Sequence, residues 1–255
     1  MTAAGDGDSA ASAGQPMALW SAPRSMSTAF FRMMAERDEF RLSHEPFAEL
    51  AAGRPATLDD REFRDPAGFI AALFDPATGA KPVFFKDTTE YRHGRLFAEH
   101  PALHQVRHAF IIRDPRRVIE SHYAMNPAVS RDEIGFENLA EIFDIVRAHS
   151  GEVPAVIDAD ALVSDRAGVV SAFCRRMGLA ERPETLSWQP GARPEWAATS
   201  KWHQVASASA TFQASSKQYP VTTENNEQLA GYLAYHLPFY QRLRAHALTP
   251  AGSAR

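Results

Sequence analysis

The sequence predicts an α/β protein, a three-layer sandwich in which a central parallel sheet of about five strands carries helices on both faces. Three observations lead there. Short apolar runs alternate with segments of helical periodicity, the order that builds a parallel sheet with crossover helices. Arg24, His44, Lys86, Arg113 and Asp158 each follow such a run, which puts them at the carboxyl edge of the sheet, where ligands bind in this class. Finally, 255 residues at 45% hydrophobic and 23% charged suit one large domain with a substantial core.

The first strand is residues 17–21. The turn 22–26 follows, and Ser25 or Ser27 is expected to cap a helix running to about Arg37, with Phe30, Phe31, Met33 and Met34 as its apolar positions. Residues 40–44 read as a weaker second strand, ended by Pro46 because proline cannot donate to a ladder. The stretch 51–66 reads as a polar loop with short helical pieces. Strands are expected at 82–86 and 108–112, the latter followed at once by a helix with Pro115 in its first turn. An amphipathic helix over 133–149, a fifth strand over 153–157 and a helix over 166–178 follow. Residues 187–223, rich in Ser, Ala, Gln and Thr, read as a long functional loop. A last helix covers about 225–247.

The domain is expected to span 17–248, between a disordered tail at 1–16 and a flexible one at 249–255. Residues 1–16 lack the basic start and apolar run of a secretory signal. No apolar run is long enough for a membrane span, and a cytoplasmic, non-membrane protein is expected. The net charge of −4 carries no bulk basic field for nucleic acid. The single cysteine, Cys174, has no intramolecular partner and reads as core packing. Arginine far outnumbers lysine, the usage of a high-GC bacterial genome. The sequence is silent on oligomeric state.

Two motifs carry chemistry. In Pro23-Arg24-Ser25-Met26-Ser27-Thr28 a turn feeds a helix N-terminus, whose free N–H groups and positive dipole end attract an anion. The three hydroxyls add donors, and Arg24 adds a fixed charge with a fork of N–H groups. A plain capped helix is the competing reading. In Arg113-Asp114-Pro115-Arg116-Arg117-Val118-Ile119-Glu120-Ser121 the first arginine leaves a strand end and Ser121 lies two turns into the next helix, so the two can pinch a phosphate. Arg116 and Arg117 read as solvent-facing or paired with Glu120.

Together these motifs resemble the sulfotransferases that use 3′-phosphoadenylyl sulfate. That family has a Pro-Lys/Arg-Ser-x-Ser/Thr-Thr loop after its first strand, matched by Pro23 to Thr28. Its second signature is Arg-x-Pro-Arg-x-Val followed by a serine eight residues after the first arginine, matched by Arg113, Pro115, Arg116, Val118 and Ser121. Ser43 to Phe47, Phe85-Lys86-Asp87 and the stretch from Lys201 through Ser209 and Phe212 extend the likeness more loosely. The resemblance implies the P-loop-like sulfotransferase fold. It also implies 3′-phosphoadenylyl sulfate as donor, no metal, and a small-molecule acceptor sulfated on a hydroxyl or amine.

By that resemblance Pro23 to Thr28 cradle the 5′-phosphosulfate, Arg113 and Ser121 hold the 3′-phosphate, and Ser209 and Phe212 belong to a loop over the nucleotide. Arg24 and Lys86 are expected to stabilise the leaving phosphate. His44 is favoured as base, since imidazole titrates near neutrality, with Glu45 second and His93, His122 and His203 open. Arg24 stands where many members have lysine, and Lys86-Asp87-Thr88 lacks the histidine of the cytosolic animal subgroup. Asp87 is expected to orient Lys86 or an acceptor amine. Asp158 and Asp160 read as structural or capping. His100 and His104 have a metal spacing but no third ligand and read as surface residues. Tyr91, His93, Trp188, Trp196 and Trp202 fit either an acceptor pocket or packing. A nucleotide kinase is the rival enzyme, and it lacks its loop lysine here. A binding module of the same fold with no catalysis is the other alternative.

Overall fold

Five parallel strands make the central sheet of the computed structural model, which describes residues 14–76, 81–214 and 217–250, the side chains of 197–200 apart. They are β1 (Met17–Ser21), β2 (Arg41–His44), β5 (Val83–Thr88), β6 (Arg107–Ile112) and β7 (Ala155–Asp158), in the order β2-β5-β1-β6-β7. The chain therefore starts in the middle of the sheet and works outward to each side. Strand order reverses beside β1, and such a switch point opens a crevice at the carboxyl edge. The fold class expected from the sequence is the one observed. The tails expected at 1–16 and 249–255 lie mostly outside the described residues.

Because the central strands are covered on both faces, their side chains alternate between two cores. On one side Trp20, Phe47, Phe85, Phe110 and Ile112 pack with α5 (Pro115–Met125), α6 (Phe136–Ser150) and α10 (Glu227–Arg244). On the other, Leu19, Phe84 and Ile111 pack with α1 (Ser27–Glu36) and α8 (Arg166–Arg176). Cys174 lies buried in this second core. Asp158 accepts hydrogen bonds from the N–H groups of Asp160 and Ala161 and so caps α7 (Ala159–Ser164).

The stretch 51–66 differs from expectation. It holds a hairpin, β3 (Ala56–Leu58) and β4 (Arg61–Phe63), between α2 (Pro46–Ala51) and α3 (Pro66–Leu73). Ala56, Leu58 and Phe63 point into the core while Thr57, Arg61 and Glu62 face solvent. That is strand alternation over only three residues a side, with Asp59 turning the chain at a φ of 54°. Two short helices complete the set, α4 (Gly94–Glu99) and α9 (Gln204–Ala208). Among the described residues no helix is long and apolar enough to cross a membrane.

One buried polar pair has a consequence for pH. The indole N–H of Trp20 donates to Nδ1 of His108 at 2.9 Å, and Nε2 of His108 bonds the Leu103 carbonyl at 2.9 Å. The Trp20 bond requires an unprotonated Nδ1, which leaves the single ring proton on Nε2 for the Leu103 carbonyl, and burial pushes the imidazole pKa down to about 4. The folded state thus binds fewer protons than the unfolded chain between about pH 6.5 and 4. This stabilisation is fully present above the unfolded value and is lost as pH falls through the folded one. The midpoint of urea unfolding should therefore fall steadily over that window. His108→Gln, which keeps a donor and an acceptor but does not titrate, should flatten the decline. An unchanged slope in that variant rules the pair out as its source.

Candidate functional site

The carboxyl ends of β1, β2, β5 and β6 open into a cavity of about 360 Å3. Its floor is the β1–α1 loop. Arg24 and Met26 adopt left-handed backbone conformations, φ 64° and 65°, a rare state for non-glycine residues. Alternating left- and right-handed residues turn successive N–H groups to one side and make an anion-binding hollow. The loop has no glycine, yet it adopts the conformations glycine usually supplies. Neither Ser25 nor Ser27 caps α1. The N-cap is Met26, which makes no side-chain bond, so the first N–H groups of the helix have no capping side chain and lie at the cavity. Ser27 instead accepts a hydrogen bond from Ser21 Oγ at 2.9 Å. Ser25 is fully buried in the cavity wall with its hydroxyl unpartnered.

Two arginines face this loop. Arg113 donates to the Arg24 carbonyl at 3.1 Å and leaves its buried Nε unused. Arg24 donates from Nε to Ser121 Oγ at 3.0 Å and from Nη1 to the Trp202 carbonyl at 2.7 Å. The motif residues Arg24, Arg113 and Ser121, far apart in sequence, thus interlock. Among the described residues neither guanidinium has a carboxylate partner. Burial lowers the pKa of each, without bringing arginine near discharge. A buried and a half-buried cation without carboxylate partners are costly unless an anion joins them.

The other side of the cavity holds a paired charge. Lys86 Nζ, buried at the end of β5, bonds Glu45 Oε1. Glu45 takes a left-handed conformation, φ 53°, between β2 and α2. Burial pushes its carboxyl up, but the Lys86 ammonium, helped by His44 and His203, brings it down to about 2. The turn is fixed from behind by Asp87, fully buried, which accepts from the N–H groups of Phe47 at 2.7 Å, Ala48 at 3.2 Å and Thr88 at 2.8 Å. Asp87 therefore anchors the start of α2 and does not contact Lys86 Nζ or the cavity.

Several expected site residues lie elsewhere. His44 does not line the cavity. It is buried behind Glu45, edge-on to Phe31 and His203 and against Trp196, and burial holds its pKa well below the ordinary value. A ring shielded this way sits behind Glu45 and against His203. Phe212 is core, packed on Phe30 and Trp188. Ser209 does line the cavity. Trp188 and Trp196 are buried packing, whereas Trp202 and Tyr91 line the cavity. His93 bonds the Thr88 carbonyl and packs on Trp20. His104 stacks on His149 at 3.9 Å and makes no pair with His100. Glu120 accepts from Thr223 N and Oγ1 rather than from an arginine.

The segment 187–223 closes the site with a 3-10 helix, Pro194–Trp202, followed by α9. Arg32 of α1 holds its start by donating to the carbonyls of Gln189 and Gly191. Further along, Nδ1 of His203 meets Thr28 Oγ1 at 3.1 Å. Burial, with Lys86 nearby, keeps His203 neutral with a pKa of about 4. Burial, with Arg24 nearby, does the same for His122. Among the described residues, His44, Glu45 and His203 bring ligand atoms within 4.8 Å of one another. The Lys86 ammonium already on Glu45 opposes a metal cation there.

A five-stranded parallel sheet whose first strand–loop–helix unit forms a hollow faced by two arginines defines a P-loop-like fold. The chain belongs to the sulfotransferase domain family, whose profile matches residues 16–247. The sulfotransferase of Alicyclobacillus acidocaldarius shares the fold, with a TM-score of 0.51, 12% identity, and coverage of 91% of this chain and 95% of that one. The sulfotransferase domain of the Synechococcus olefin synthase gives 0.49, with 15% identity over 88% and 95% of the two chains. Among curated proteins, branched-chain-amino-acid aminotransferase-like protein 1 of Arabidopsis thaliana is 28% identical over 89% of this chain. The chain spans 41% of that relative's length.

Proposed function

We propose that this protein transfers a sulfuryl group from 3′-phosphoadenylyl sulfate to a small acceptor by in-line displacement. The observation that carries this is the pair of guanidiniums, the half-buried Arg24 and the buried Arg113, that among the described residues lack carboxylate partners and interlock with Ser121 beside the α1 N-terminus. A donor with two separate phosphate groups meets that layout. The loop N–H groups with Ser25, Ser27 and Thr28 receive the 5′-phosphosulfate, and Arg113 with Ser121 the 3′-phosphate. Arg24 reaches toward Ser121 and Trp202, so its charge serves the 3′-phosphate side.

Lys86 is then the cation for the leaving oxygen, and Glu45, the carboxylate on the cavity wall beside it, accepts the acceptor's proton. The two roles are coupled. When Lys86 turns from Glu45 to the donor, the ammonium that holds Glu45 down is withdrawn, and burial raises its basicity as the proton arrives. Positioning and charge stabilisation do most of the catalysis in such a loose transfer.

Calorimetry with 3′-phosphoadenosine 5′-phosphate tests the donor assignment. Wild type should bind it, and Arg113→Ala should weaken binding by tenfold or more, as expected for about 1.5–3 kcal/mol from a lost charge-assisted contact. No binding to wild type at millimolar ligand would overturn the assignment and favour a binding module of the same fold.

A further inference from the structure

The side of the cavity away from Arg24 and Arg113 carries four carboxylates and, with Lys86, the cation Arg54. Glu45, Glu49, Glu90 and Glu133 all line it. Three of them are occupied: Glu45 by Lys86, Glu49 by the ion pair with Arg54, and Glu133 by the Ser130 N–H at 2.6 Å. Glu90, just beyond the end of β5, makes no hydrogen bond or ion pair among the described residues. It is only partly exposed. Burial, reinforced by Glu45 and Glu133 and opposed by Lys86 and Arg54, pushes its carboxyl up to about 7. A half-buried carboxylate left alone beside other carboxylates is unfavourable as an anion until a cation joins it.

Two further groups lining the cavity lack partners. Thr88, 4% exposed, has its Oγ1 unbonded, and His122, 3% exposed, has its Nδ1 unbonded. Tyr91, next to Glu90, is the exposed aromatic at the rim, and a ring face adds attraction for an organic cation. An unpaired carboxylate, two unused buried polar atoms and an aromatic ring together suit an ammonium group better than a neutral or anionic one.

We infer that the acceptor carries a protonated amine beside the hydroxyl it offers for sulfation, and that Glu90 is the residue that recognises the ammonium. This rests on the sulfotransferase reading of the same cavity. An ammonium held by Glu90 has no lone pair and does not attack. The neighbouring hydroxyl oxygen attacks sulfur, the bond between sulfur and the bridging phosphate oxygen breaks, and the hydroxyl proton passes to Glu45. The products are the sulfate ester and 3′-phosphoadenosine 5′-phosphate.

The probe is phenylalaninol, an amino alcohol with one ring, set against 3-phenylpropan-1-ol, which lacks only the amine. Binding of each is measured by calorimetry at about pH 8, where the amine is largely protonated and Glu90 ionised, both with and without 3′-phosphoadenosine 5′-phosphate. Wild type should prefer the amino alcohol by about tenfold, and Glu90→Gln should bring the two ligands level while nucleotide affinity stays within about twofold. Equal binding of the two probes, no detectable binding of either, or a preference that survives Glu90→Gln overturns the inference. The nucleotide titration separates the two failures. Lost nucleotide binding with an intact amine preference removes the donor assignment and leaves the ammonium site standing. Intact nucleotide binding with no preference does the reverse.

Discussion

Lys86→Ala should lower kcat by about two to three orders of magnitude, the usual cost of removing one preorganised donor from a developing oxyanion, while 3′-phosphoadenosine 5′-phosphate still binds within a few-fold of wild type. The ammonium is buried at the end of β5 and its bond is to Glu45, so under the proposed assignment, which gives the nucleotide's phosphates to the β1–α1 loop and Arg113, it contributes little to holding them. Its removal has a second effect. Glu45 loses the cation that holds it near 2, and burial then drives its carboxyl upward. The acid limb of the residual pH–rate profile should therefore move to higher pH, because Glu45 must be ionised to accept a proton. Lys86→Arg restores the charge but places it on a larger, planar group that donates no proton, and should recover only part of the rate. Single-turnover assays across pH check all three statements. An alanine variant with more than half the wild-type rate, or an unmoved acid limb, removes Lys86 from the chemistry.

The sheet was legible because its strands are buried on both faces. Apolar runs such as 17–21 and 108–112 are short and continuous and have a charged residue close behind them, Arg24 and Arg113, and that coincidence marks the cavity edge in the sequence. The site was legible only where chemistry sits on local sequence. Pro23 to Thr28, Arg113 and Ser121 are brought together as the motif spacing implies. Capping was misread because serine is a good N-cap by local preference. Here the backbone takes left-handed turns at Arg24 and Met26, and no propensity marks a non-glycine residue for that. His44 was favoured for its imidazole, but its exposure is decided by Trp196 and His203, delivered from a segment about 150 residues later in the chain whose path has no periodic signal. Phe212 failed for the same reason. The β3–β4 hairpin is too short to show its alternation. Glu90 has one signal in the sequence, a charge two residues beyond the strand that bears Lys86, but a lone glutamate there equally suits a solvated turn.

Asp87→Ala should be the most destabilising single change near the site, costing about 3 kcal/mol or more, since one carboxylate satisfies three backbone N–H groups and each left bare in a buried place costs about 1–3 kcal/mol. For a chain of this size that corresponds to a fall in Tm of roughly 6–12 °C. Two of the donors belong to Phe47 and Ala48, the first turn of α2, and the third to Thr88 on the strand that carries Lys86. The same bonds hold Glu45 in its left-handed conformation, so the loss reaches the cavity without any contact to it. Asp87→Asn, with its oxygen placed to accept from Ala48 and Thr88, turns its amide N–H toward the one remaining donor, Phe47, so it should recover only part of the deficit. A purely structural role for Asp87 would lower Tm and leave the folded enzyme normal. The geometry requires more, because Glu45 and Lys86 meet only while α2 and β5 stay tied. Assayed well below its Tm, Asp87→Asn should show a reduced kcat with nucleotide affinity unchanged. A normal kcat in that variant would detach the Glu45 turn from Asp87 and leave the left-handed residue to be held by the β2–β5 pairing and the Lys86 bond alone.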